Sequence, residues 1–257
     1  MRKVEGSSPP VSTTETVSIE AVSSIFFIEK GMFDVNAAFS PIDFAHWPRA
    51  SHFKYYTNVI RTNYAVTVRL DVSALRHKCQ ALGLRFYPAM LYAIMRAVNS
   101  RQEFRMAYRD GVLGFYSVCH PSYTIFHADD HTFSDIWSEY HPHFPTFYAG
   151  VLRDIDIWQD VKGVKTKPDR PDNFCPVSCV PWLDFTAAAH DTAGPGPMFF
   201  PVITFGKYTA SDGKLTLPLC LHIHHAAADG YHTSMLLSDI QSLLDHCTDW
   251  LAESSAL

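Results

Sequence analysis

Charge is scarce in this 257-residue chain: 18% of residues are Asp, Glu, Lys or Arg, the formal net charge is −5, and no Lys/Arg cluster exceeds a pair or so. That removes the electrostatic footprint a nucleic-acid binder needs, so a small-molecule partner is expected. Long apolar runs are missing as well. The best N-terminal candidate, Ile25-Phe26-Phe27-Ile28, is too short for a signal core and far below the roughly 18 residues of a membrane span, so no membrane partner and a cytoplasmic location are expected. Cysteine is thin: Cys79, Cys119, Cys175, Cys179, Cys220 and Cys247 form no CxxC pair, which suits free thiols in a reducing compartment. No internal repeat is visible.

What is abundant is apolar material, 47% of residues with 14% aromatic, enough for the core of one large domain. Residues 1 to about 20 are rich in Ser, Thr and Pro and cannot bury enough apolar surface to offset the entropy of ordering, and the stretch to about residue 42 is mixed, so 1–41 reads as a partly disordered extension and 42–257 as the folded domain.

Tyr64–Asp71 alternates as a strand does, and Val72–Leu82 follows as a helix with Asp71 or Ser73 as its cap. Tyr87–Asn99 is a second helix, apolar on nearly every face, with Pro88 in the first turn where its missing N–H is harmless. Val112–Val118 and Ser122–Phe126 read as strands, Thr146–Trp158 as a helix starting after Pro145, and Lys162–Asn173 as a surface loop. A hairpin joins Val202–Tyr208 to Leu215–His225 through Asp212-Gly213, and a closing helix runs from about Thr233 to Cys247. Interleaved strands and helices predict an α/β, two-layer sandwich with a mixed β-sheet flanked by helices.

In the last strand, period-two alternation places Leu217, Leu219, Leu221, Ile223 and His225 on one face, with Thr216, Cys220, His222 and His224 on the other. His225 therefore ends an apolar row just before Asp229-Gly230 turns the chain. A partly desolvated imidazole there suits general-base work on a hydroxyl, because desolvation favours the neutral, proton-accepting form. A zinc site built from Cys220, His222, His224, His225 and His232 is disfavoured: His225 lies on the wrong face, and three successive same-face residues span roughly 13 Å of strand. No metal is expected.

The heptapeptide His224-His225-Ala226-Ala227-Ala228-Asp229-Gly230 resembles the HHxxxDG signature of the CoA-dependent acyltransferases. Further landmarks, in order from about Ile42 to Asp245, resemble the chloramphenicol acetyltransferases within that superfamily. They include His46-Trp47-Pro48-Arg49, Phe86-Tyr87-Pro88, Glu103-Phe104-Arg105-Met106-Ala107, Tyr123-Thr124-Ile125-Phe126-His127, Ser178-Cys179-Val180-Pro181-Trp182 and Pro201-Val202-Ile203-Thr204 with Lys207-Tyr208. The resemblance implies a CoA-dependent acyltransferase-like fold with His225 as base and Ser178 as hydroxyl donor to the tetrahedral intermediate. It makes Asp229 and Arg49 a pair supporting the site. It further implies acetyl-CoA as cosubstrate, held by Thr204, Lys207 and Tyr208, and chloramphenicol or a similar small hydroxyl acceptor, held by Tyr56, Thr124 and Phe133. A homotrimer with active sites between subunits is implied too.

The chain departs from better-known members in its N-terminal extension, in the three motif alanines, and in Thr62 and Tyr64 near the acceptor pocket. An acetyltransferase for a different small alcohol, and a non-catalytic binding protein on the same scaffold, are the alternatives; the second is expected to have lost Ser178 or His225, and neither is lost.

Overall fold

The computed structural model describes residues 37–190 and 197–252. Most of the 1–41 extension lies outside these residues. Its last part does not: Phe39–Pro41 is a strand, β1, which lies before Ile42. β1 pairs antiparallel with β4 (Val112–Tyr116), which pairs with β3 (Met106–Arg109), making a small three-stranded sheet.

The main sheet follows the order β2 (Asn63–Asp71), β10 (Lys214–His224), β8 (Val202–Gly206), β7 (Phe174–Val180), β5 (His120–His127), β6 (Thr132–Trp137), with β9 (Thr209–Ser211) on β10. It is mixed, as expected: β5, β7 and β8 run parallel and the remaining pairs antiparallel. The helices are α1 (Ala50–Asn58), α2 (Ser73–Ala81), α3 (Phe86–Ser100), α4 (Phe144–Trp158), α5 (Gly230–Asp245) and the short α6 (Cys247–Leu251).

α3 is buried along Pro88–Met95 and again at Ala97 and Val98, which is what its all-round apolar sequence requires. With α5 it covers the sheet face that carries Tyr123, Val177, Ile203, Leu219 and Leu221, in one continuous core. Cys220 is fully buried yet lies outside that core, because the opposite face is covered in part by the stretch after β7: Ala188 O accepts from the Cys220 Sγ and Phe199 packs on His224.

Several sequence expectations hold closely. Asp212 and Gly213 have φ of 51° and 76°, both in the left-handed region that a tight β9–β10 turn requires. The cap of α2 differs from the expectation: it is Val72, with no side-chain cap hydrogen bond, although Asp71 Oδ1 accepts the Ser73 N–H at 3.0 Å just before the helix. Two helices begin earlier than the sequence suggested. Pro145 is not a barrier, since α4 starts at Phe144 and places that proline in the first turn, where no N–H is needed. α5 starts at Gly230 because Asp229 caps it.

Gly206, the last residue of β8, lets the chain after β7 pass close by: a Cβ there would sit 2.5 Å from the Leu183 carbonyl oxygen and 2.8 Å from Pro218. Backbone and a proline ring cannot yield cheaply. Gly206→Ala is expected to destabilise by about 1–3 kcal/mol, lowering Tm by several degrees in a thermal melt.

Candidate active site

β10 is hydrogen-bonded to β2 through His224↔Asn63, and the ladder gains one more rung where the His225 N–H donates to the Thr62 carbonyl at 2.9 Å. The strand ends there. The His225 carbonyl accepts from Arg49 Nη2 at 3.3 Å, so both backbone groups of this residue are tied down. Its imidazole is sandwiched by aromatics: Tyr56 stacks on it with centroids 3.9 Å apart and planes 8° from parallel, and Tyr64 sits 5.1 Å away at 55°. Nδ1 is buried without a partner, while Nε2 has none among the described residues and is not enclosed.

His224 is a different case. It points to the other face, its Nδ1 accepts the Ala226 N–H at 3.1 Å, and burial, then the neighbouring His225, holds its pKa below the usual value. It is a neutral, occupied, structural histidine. Ala226, Ala227 and Ala228 have no exposed surface at all, so the turn after the strand has room only for small side chains.

The turn is braced by Asp229. Its Oδ2 accepts from Arg49 Nη1, and its Oδ1 accepts from the Tyr231 N–H at 3.0 Å, capping α5. His232 Nδ1 lies 2.8 Å from the same Oδ1 and 3.3 Å from the Asp229 N; the shorter contact makes it a donor to the carboxylate. Burial works to raise the Asp229 pKa, but His232 and Arg49 outweigh it and hold the carboxyl below the usual range. The Tyr64 hydroxyl donates to the Ala228 carbonyl at 3.3 Å. The sequence reading missed Thr62's carbonyl and His232 as supports; the Asp-x-x-His spacing, a variant of the capping box, was the available signal for the second.

Ser178 is half-buried in β7. It pairs with Thr204 of β8, which pairs with Cys220 of β10, and the β5–β7 ladder (Tyr123↔Val177) carries one step on to Thr124. Residues opposite one another share a face, so Thr124, Ser178, Thr204 and Cys220 form one row across the sheet. Thr204 is buried and its Oγ1 lies 2.9 Å from His190 Nε2, a contact with no sequence signal. Phe133 stands opposite Phe126 at the β5–β6 edge, more than half exposed. Lys207 and Tyr208 follow β8; Arg76 Nε donates to the Tyr208 hydroxyl at 3.3 Å, and Phe86 packs edge-on to its ring.

The structure therefore gathers the named residues into two groups. His225, Tyr56, Arg49 and Asp229 meet at one end of β10. Ser178, Thr124, Thr204 and Phe133 line the opposite face, with Lys207 and Tyr208 beyond. From the pairing, Ser178 is two strands and five residues from His225, on the order of 20 Å, and on the other side of the sheet.

Known proteins agree with this fold. The family model described as chloramphenicol acetyltransferase matches residues 37–241. A chloramphenicol acetyltransferase of Clostridium perfringens is 37% identical over 216 residues, covering 84% of this chain and 99% of its own. One of Campylobacter coli is 35% identical over 208 residues, covering 80% and 99%. Among solved structures, a chloramphenicol acetyltransferase superposes with a TM-score of 0.71 at 24% identity, covering 80% of this chain and all of that one. A probable dihydrolipoamide acetyltransferase of Listeria monocytogenes superposes at 0.57 and 13% identity, covering 82% and 96%.

Asp229→Asn is expected to cost about 2–3 kcal/mol in denaturant unfolding, since the Arg49 side chain, only 15% exposed, keeps its charge without a partner. The sign in pH is fixed by the lowered pKa. The stability this carboxylate adds is fully present above its unfolded value, near 4, and is lost as pH falls through its lower folded value. A pH series on the wild type and Asp229→Asn checks this: the gap between them should close in acid.

Proposed function

The chain belongs to the chloramphenicol acetyltransferase family and is an acyltransferase, and we propose that it moves acetyl from acetyl-CoA to a hydroxyl of chloramphenicol by direct transfer, giving antibiotic resistance in the cytoplasm. His225 is the base. With its proton on the buried Nδ1, the open Nε2 takes the proton of the acceptor hydroxyl as that oxygen attacks the thioester carbonyl. The Tyr56 stack and the two backbone hydrogen bonds fix the ring, which is the orientation a general base needs. Ser178 donates to the oxyanion.

Thr204, Lys207 and Tyr208 run along β8 and its exit over about 13 Å, and this line from a buried hydroxyl to an exposed cation and aromatic suits the extended, anionic form of acetyl-CoA. Thr124 and Phe133 are the acceptor side. A cysteine nucleophile is a poor alternative: burial pushes the Cys79 thiol up to about 11 and Cys119 and Cys179 to about 12, and raises Cys175 and Cys247 as well.

The observation that carries the reading is the separation of base and oxyanion donor. Both cannot act on one carbonyl from positions on the order of 20 Å apart on opposite faces, but they can if the base of one chain meets the Ser178 face of another. The two ends carry exposed apolar side chains of the kind an interface covers: Tyr55, Val59 and Ile60 near His225, and Phe126, Phe133 and Trp182 near Ser178. Unlike patches that meet head to tail close into a ring, which favours the homotrimer.

Purified protein given acetyl-CoA and chloramphenicol should release free CoA thiol. His225→Ala should lower kcat by about 10²–10⁴-fold and Ser178→Ala by about 10²-fold or more. Light scattering should give three times the chain mass. Unchanged turnover in His225→Ala removes the base assignment, and thiol release with other alcohols but not chloramphenicol moves the acceptor.

A further inference from the structure

The row that holds Ser178 and Thr124 does not stop at β5. Thr124 pairs with Asp135 of β6, and period-two alternation puts Phe133, Asp135 and Trp137 on that same face. The acceptor side of the site thus runs, with no change of face, into a charged cluster about 10 Å from Ser178. There Ser122 donates to Asp135 Oδ1 at 2.7 Å, and Arg170 Nη1 donates to Asp135 Oδ2 at 3.0 Å and to Ser122 Oγ at 3.1 Å.

This cluster walls a cavity of about 280 Å³, lined by Asp135, Trp137, Lys165, Lys167, Asp169 and Arg170. Its walls are pinned. Trp137 Nε1 donates to the Pro168 carbonyl at 2.9 Å, Lys167 pairs with Asp154 at 2.8 Å while lying over the indole, and Arg170 lies 3.8 Å over the Phe174 ring. Only Nη1 of the Arg170 guanidinium has a protein partner among the described residues, so Nε and Nη2 are left as donors. The lining carries three cations, Lys165, Lys167 and Arg170, and two carboxylates, Asp135 and Asp169; the third carboxylate, Asp154, lies behind the wall and pairs with Lys167. The charges cancel in number, so the cavity does not select a full anion.

We propose that Arg170, held in place by Asp135 and Ser122, is a specificity-determining residue that receives a neutral, planar, two-oxygen group, a nitro group, at the end of an aryl acceptor remote from the reacting hydroxyl. The guanidinium fork matches two coplanar oxygens in the geometry it uses for carboxylates. The inference rests on the reading that the acceptor lies along the Ser178 face, and chloramphenicol, whose phenyl ring carries a para-nitro group, is of this class.

The test is steady-state acetylation by wild type and Arg170→Gln of three aryl-propanediol acceptors that differ only in the para substituent: nitro, hydrogen and carboxylate. Wild type should prefer nitro over hydrogen by about tenfold in kcat/KM, mostly through KM, and the ratio should fall to about one in Arg170→Gln. Equal values for nitro and hydrogen in the wild type overturn the proposal without any variant. So does a preference that survives in Arg170→Gln, and a carboxylate favoured over nitro overturns the neutral class. If none of the three is acetylated, the reading of the site has failed, and equilibrium dialysis of the nitro and hydrogen compounds decides the cavity separately. Tighter nitro binding that disappears in Arg170→Gln supports the proposal; equal binding overturns it.

Discussion

Arg49 reaches from the start of α1 to the far end of the chain and makes two contacts at once, with the Asp229 carboxylate and with the His225 carbonyl. Everything at the His225 end of the candidate site depends on this pair. The His225 backbone is fixed by it on one side and by Thr62 on the other, the ring is sandwiched by Tyr56 from the same helix that Arg49 begins, and Asp229 caps the helix that closes the core. Removing the ion pair would free α1, the turn and α5 together, because each is positioned through the others. The pair spans 180 residues and joins the two ends of the fold, so local helix and strand preferences do not substitute for it.

The second constraint is the sheet. A central strand with leucines and Ile223 on one face and Cys220, His222 and His224 on the other is buried on both sides, and its two faces do different work. One packs on helices and delivers His225 at its end. The other carries a transverse row from Thr204 through Ser178 and Thr124 to Asp135. On the proposed roles of His225 and Ser178, a single chain holds both groups but not in reach of one another, and self-association then becomes a condition of activity.

Much of this was legible in the sequence, for reasons that can be named. α3 was readable because Pro88 marks its first turn and apolar residues fill the rest; β10 was readable because its alternation is strict; and His225 stood out as the polar end of an apolar row. What could not be read was whatever non-local pairing decides. Phe39–Pro41 is a strand because β4 accepts it, β3, β6 and β7 are too short or too irregular to announce themselves, and α4 begins before Pro145 because a first turn tolerates proline. The same holds for the site. Ser178 was named from resemblance and His225 from strand alternation as well, but their separation follows only from strand order, and Asp135 meets Arg170 only through a register that places both beside Ser122.

The measurement that bears most directly on the account is subunit complementation. His225→Ala and Ser178→Ala chains, each nearly inactive alone, are denatured, mixed in equal amounts and refolded. If the base of one chain serves the Ser178 face of its neighbour, about one quarter of the interfaces carry both groups under random assortment, and activity should rise far above the sum of the two variants. Activity that stays at that sum would contradict the account, because it would mean that base and oxyanion donor act from within a single chain.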